Sequence, residues 1–234
     1  MSAIEVDLRL RSPHWSRVTA SADTVNDGNG LWVRADHDCS DPTDPEVLAS
    51  HPGRLAAIQI DGDEVVLAQD RLRSWPLFWS LEDGMSDAQR LVISDDATLM
   101  REAVSTPRLD ARARREFLDA GFVTGSNTLL AGIHQTEQGT VVRIDRTTGR
   151  ARTINHSLGR FSEETDTVVD PEDFSDLLTE ALDAVMGRLL VDLDRRPGTP
   201  RLVVPLSGGL DSRLLVAWLT LHDALDRTVA FTYG

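Results

Sequence analysis

The sequence contains no lysine: all 24 basic residues are arginine, against 38 acidic ones, and the formal charge is −14. The missing lysine excludes a phosphate loop of the G-x-x-x-x-G-K-[ST] kind, whose lysine reaches the β- and γ-phosphates. The acidic balance repels nucleic acid and anionic lipid, so neither is expected as a partner of the bulk surface. A local phosphate site remains allowed, because backbone amides and helix ends bind anions whatever the net charge. Cysteine is almost absent as well. The single Cys39 rules out an intrachain disulfide framework and any multi-cysteine metal site, and it fits a reducing compartment. No apolar run approaches the ~20 residues that span a bilayer. The start, Met1-Ser2-Ala3-Ile4-Glu5-Val6-Asp7, lacks the basic opening and apolar centre of a secretory signal. These absences predict a cytoplasmic protein without nucleic-acid or membrane partners.

What is present suffices for one large domain or two small ones, with 234 residues of which 41% are apolar. The runs Arg54 to Ile60 and Glu64 to Ala68, separated by Asp61-Gly62-Asp63, predict a β-hairpin. Further strands are expected at Leu91 to Ser94 and Thr140 to Ile144, and a helix at Arg112 to Ala120 stopping at Gly121. Near residue 165 the pattern changes. Phe174, Leu177, Leu178, Ala181, Leu182, Val185 and Met186 form one apolar helical face, with Asp170 as cap and Pro171 in the first turn. A buried strand is expected at Leu202 to Leu206, then a glycine turn, an apolar helix at Leu214 to Leu221 and a second strand at Thr228 to Tyr233. A helix between two such strands is a βαβ unit and requires a parallel sheet. The chain thus divides into a β-rich part, 1–160, and an α/β part, 161–234.

The turn itself, Ser207-Gly208-Gly209-Leu210-Asp211-Ser212, carries the chemistry. A strand running through Ser-Gly-Gly into a helix gathers backbone N–H groups and the positive helix end at one point. Gly208 and Gly209 have no Cβ and can take positive φ, so a phosphate can approach closely. Ser207 and Ser212 offer hydroxyl donors, and Asp211 can hold a divalent metal that bridges phosphate oxygens. A turn that only joins strand to helix, with Asp211 as a cap, is the alternative. Arg213 can contact phosphate bidentately or sit as a solvated helix residue.

Val204-Pro205-Leu206-Ser207-Gly208-Gly209-Leu210-Asp211-Ser212-Arg213 resembles the signature of the ATP-pyrophosphatase superfamily, whose members cleave ATP between the α- and β-phosphates. Upstream, Asp70-Arg71, Pro76-Leu77-Phe78-Trp79, Val92-Ile93-Ser94, Thr128 to Ile133 and Gly139 to Val142 resemble, in order, the later part of the asparagine-synthetase glutaminase domain. β-Lactam synthetases and lasso-peptide cyclases share that two-domain plan. The resemblance implies an α+β, N-terminal-nucleophile-type glutaminase-like domain (1–160), followed by the start of a Rossmann-like ATP-pyrophosphatase domain (161–234). It implies an ATP-dependent amidoligase of the glutamine-hydrolysing asparagine synthase type, as in asparagine biosynthesis, that activates a carboxylate as an acyl-adenylate. ATP and Mg²⁺ would be bound by Leu206, Ser207, Gly208, Gly209, Leu210, Asp211 and Ser212, with Asp211 as the Mg²⁺ ligand and Leu206 a wall near the nucleoside.

Two departures qualify what is expected. The family's N-terminal cysteine nucleophile is missing, since the chain begins Met1-Ser2 and Cys39 is internal. The ligase is therefore expected to lack its own glutaminase activity. Ser2, freed of Met1, is an alternative nucleophile for an N-terminal-serine amidohydrolase. The sequence also stops at Phe231-Thr232-Tyr233-Gly234, ahead of segments that complete the synthetase domain in the family. A fragment, a non-catalytic scaffold, or a unit completed by a second chain is expected on that ground. His14, His37, His51, His134, His156 and His222 show no ligand spacing. Trp75, Phe78 and Trp79 read as core, and the acidic stretch Asp36 to Asp44 reads as a solvated loop.

Overall fold

The computed structural model describes residues 4–18, 29–83, 89–156 and 170–232. Ser2, Val168, Val169, Tyr233 and the expected division at 160/161 lie outside the described residues. The chain is of mixed α and β type, with several separate sheets and no barrel among the described residues. It separates into two compact units, Met1–Arg160 and Phe161–Gly234.

In the first unit, the hairpin forms as its residues predict. Strands β4 (Leu55–Asp61) and β5 (Glu64–Gln69) pair antiparallel, with Asp61 opposite Glu64. Gly62 takes a left-handed φ of 52° in the two-residue turn, a conformation that costs glycine little. These strands sit inside a six-stranded antiparallel sheet. It is completed on one side by β3 (Gly30–Ala35) and β2 (Ser16–Val18), and on the other by β9 (Thr140–Asp145) and β10 (Ala151–Asn155). A second, four-stranded sheet holds β1 (Glu5–Arg9), β7 (Gln89–Ser94), β6 (Phe78–Asp83) and the two-residue β8 (His134–Gln135) in that order. β1 runs parallel to β7; the other pairs are antiparallel.

Side-chain alternation explains why these strands read as unbroken apolar runs. Ile58, Ile60, Val65 and Leu67 of the large sheet pack with Leu91 and Ile93 of the small one in a shared core. Their neighbours Leu55, Ala57, Val66 and Ala68 point the other way and pack on Leu48 of α1 (Pro45–Ser50). On the outer face of the small sheet, Val92 packs with Met100 and Ala103 of α2 (Ala97–Ala103). Each sheet is thus covered on both faces, and the period of two survives only in which layer each residue enters. Trp75 and Trp79 pack against the shared core and Phe78 against the α2 layer. Helix α3 (Ala111–Ala120) ends at Gly121, whose φ of 83° is the left-handed cap its sequence predicts.

Several elements had no expectation behind them. β1, β2, β3, α1 and α2 arise where the sequence offered short or interrupted apolar signals. The Asp36 to Asp44 stretch differs from a purely solvated loop. Asp36 pairs with Arg54 at 2.6 Å, Asp41 accepts from Thr43 at 2.9 Å, and Asp44 caps α1 through Glu46 N at 2.8 Å.

The second unit contains helix α4 (Pro171–Asp194), strand β11 (Leu202–Pro205), helix α5 (Leu210–Leu221), a short 3-10 turn at Leu225–Arg227 and strand β12 (Thr228–Phe231). β11 and β12 pair parallel, Val204 opposite Ala230, so the βαβ arrangement is present. Helix α5 begins four residues before the expected Leu214, directly at the glycine turn. The expected burial is not met: Val204 is buried, but Val203 is 62% exposed and Leu214 and Leu215 are each 44% exposed. A two-stranded sheet has too little partner surface to cover both of its faces. What packing there is joins Met186 of α4 to Val204, Leu219 and Ala224. Asp183 of α4 clasps α5, accepting from His222 Nε2 at 2.8 Å and Trp218 Nε1 at 3.3 Å.

Candidate functional site

The loop between β11 and α5 emerges from the carboxyl end of a parallel strand, where open α/β sheets bind ligands. Strand β11 is anchored up to the loop's edge, since Leu206 donates its N–H to Phe231 O at 2.7 Å. Leu206 is half-buried; Ser207, Gly208, Gly209, Leu210 and Asp211 are exposed, and Ser212 is buried. The loop holds its own shape through Ser212. Its hydroxyl donates to Ser207 O at 2.9 Å and lies 3.3 Å from Gly209 O. Ser207 Oγ stands 3.2 Å from Ser212 Oγ and accepts from Gly209 N at 3.3 Å. The two serines therefore differ. Ser212 is buried and staples the turn, whereas Ser207 is exposed.

The start of α5 also differs from those of α1, α2 and α3. Asp44, Asp96 and Asp110 cap α1, α2 and α3, each side chain accepting from first-turn amides. Gly209 caps α5, and no side chain accepts from its first turn. These first-turn amides, at the positive end of a 12-residue helix, therefore have no side-chain acceptor. Neither glycine uses the positive φ its sequence allows: both fall outside that region. Gly208 is not required by its neighbours either, because an added Cβ would meet nothing within 4 Å. At Gly209 a Cβ would come within 3.3 Å of Ser207 Oγ.

Asp211 lies in the first turn of α5, exposed, with its carboxylate in no hydrogen bond or ion pair among the described residues. No group of three or more His, Cys, Asp or Glu side chains gathers anywhere among the described residues. A single carboxylate suits Mg²⁺, which is commonly held through one or two carboxylates plus substrate phosphates and water. Arg213, one turn into the helix, curls back so that its Nε donates to Gly209 O at 3.3 Å.

At the opposite ends of the same strands lies a feature with no clear sequence signal, a cavity of about 420 Å³. Arg196, Arg201 and Arg227 line it together with Asp194 and Asp226, and Arg227 is held by Asp194 at 2.6 Å. No helix among the described residues is long and apolar enough to cross a membrane. The chain matches no protein-family model and no curated protein sequence.

Proposed function

We propose that the loop from Leu206 to Ser212 binds the phosphates of ATP, and that the chain belongs to an ATP-dependent carbon–nitrogen ligase of asparagine-synthetase type. The observation that carries this reading is the uncapped start of α5, set directly after a parallel strand and preceded by a glycine that neither backbone nor packing requires. The amides of the first turn and the Ser207 hydroxyl would hold the β- and γ-phosphates as pyrophosphate departs. Arg213 would add positive charge from one side. Mg²⁺ on Asp211 would neutralise the phosphate oxygens, which otherwise face a like-charged carboxylate. A substrate carboxylate would attack the α-phosphorus in line, giving an acyl-adenylate that an amine or ammonia converts to the amide. Positioning and charge stabilisation are the protein's share of such a reaction.

The layered first unit, two sheets between α1 and α2, supports a glutaminase-like ancestry used as scaffold. The exposed apolar sides of β11, β12 and α5 suit a second chain that completes the nucleotide unit. Binding of Mg²⁺ and ATP to the full chain, followed by calorimetry, tests the assignment. Asp211→Ala should lower affinity at least about tenfold in Mg²⁺ and much less in its absence. Unchanged binding in Mg²⁺ sinks the role given to Asp211, and wild-type chain that binds no ATP sinks the reading.

A further inference from the structure

Helix α4 is poorly covered for its length. From Pro171 through Ala181 every described side chain is exposed, and among the helix's described side chains only Met186 and Leu193 are buried. A helix that buries so little cannot draw its stability from its own unit. The exposed residues are not a random mixture. Phe174, Leu177, Leu178, Ala181, Val185 and Leu189 recur at spacings of three and four and form one ridge along the helix. Phe174 is 57% exposed and Val185 50%. The flank turned to the unit's own core is a separate row, Met186, Leu190 and Leu193. The opposite flank is acidic, with Asp173, Asp176 and Glu180 all exposed and successive turns apart. Arg188 is the helix's single basic residue.

We infer that the ridge of α4 docks a polypeptide helix whose apolar stripe is bordered by lysine or arginine. The apolar contact alone would accept many partners; the acidic flank selects by charge, as flanking residues do in paired helices. A second copy of this chain is a poor occupant. It brings the same acidic flank, no lysine and a formal charge of −14 to the interface. The inference goes beyond the ATP reading and stands without it, since the ridge is the same whether or not the loop binds nucleotide.

Two synthetic helical peptides with one leucine pattern test it, one bordered by lysine and the other by glutamate, each titrated against the full chain by fluorescence anisotropy. The lysine peptide should bind at least about tenfold more tightly, the summed effect of several exposed ion pairs, and the preference should shrink in high salt. The double variant Asp176→Arg, Glu180→Arg should reverse the preference, and Val185→Asp should remove binding of both peptides. Both variants change exposed residues, and their circular dichroism should match the parent. Equal affinity for the two peptides, no binding of either, or a Val185→Asp variant that binds normally overturns the proposal. So does a concentration-dependent dimer in sedimentation that Val185→Asp abolishes, which would make a second copy the occupant.

Discussion

Strands β5 and β11 have similar apolar sequences and opposite fates. In β5, Val65, Val66, Leu67 and Ala68 are all essentially buried; in β11, Val203 is 62% exposed beside a buried Val204. The difference lies in the neighbours. β5 is an interior strand of a six-stranded sheet with a second sheet on one face and α1 on the other. β11 has one partner strand and a partial cover from α4 and α5. An apolar run therefore states a demand for burial, and the architecture decides whether the demand is met. The first unit meets it internally, and the second leaves much of it unmet among the described residues.

The largest expected effect comes from breaking that contrast at its buried end. Leu67→Ala should cost about 2–5 kcal/mol, from lost transfer energy and a cavity in the shared core. Leu215→Ala, on a side chain 44% exposed in α5, should stay within about 0.5 kcal/mol. Urea unfolding followed by amide exchange measures both, because exchange reports each unit without assuming one transition. If Leu215→Ala costs as much as Leu67→Ala, the second unit is covered in solution and the contrast fails.

The same contrast governs what could be read in advance. The β4–β5 hairpin, the stop of α3 at Gly121 and the βαβ order were legible because turn chemistry and run length are local. β1, β2 and β3 were not. β2 is exposed throughout, and β1 and β3 are mostly half-buried; the place of Trp32 and Arg34 in β3 depends on β4 pairing with them. The helices α1 and α2 were signalled by Asp44 before Pro45 and by Asp96 before a helix-forming run, cues that a scan for long apolar periods passes over. At the site, the order strand, glycine turn, helix was legible from residue types. The division of labour between Ser207 and Ser212 was not, since both are hydroxyls and only the fold shows which one is turned inward.

A smaller effect concerns the pH response of the first unit. His134, set against Trp79 at 4.6 Å, and His156, bonded through Nε2 to Gln69 O at 2.9 Å, both titrate below the usual 6.5. Burial is the leading cause for each, and Arg71 adds to it at His156. A group with a lowered folded pKa adds stability above its unfolded value, and that stability is lost as pH falls through the folded one. Unfolding of the first unit should therefore become easier as pH falls below the ordinary histidine value. The double variant His134→Gln, His156→Gln should flatten that slope when urea midpoints are compared across the range. An unchanged slope would mean that the two imidazoles charge without cost in the folded state.

The smallest expected change in stability, and the sharpest separation of fold from function, is at Gly208. Its φ lies outside the left-handed region and a Cβ there meets no atom within 4 Å, so alanine fits the folded loop without strain. Alanine also narrows the unfolded ensemble, so Gly208→Ala should leave stability unchanged or raise it by up to about 1 kcal/mol. If the open space above Gly208 is where phosphate oxygens approach the backbone, the same methyl group intrudes on them. ATP affinity should then fall while the melting temperature holds. Equal ATP affinity in Gly208→Ala and parent would mean that the ligand does not come close to this backbone. The uncapped start of α5 would then be a surface feature served by water.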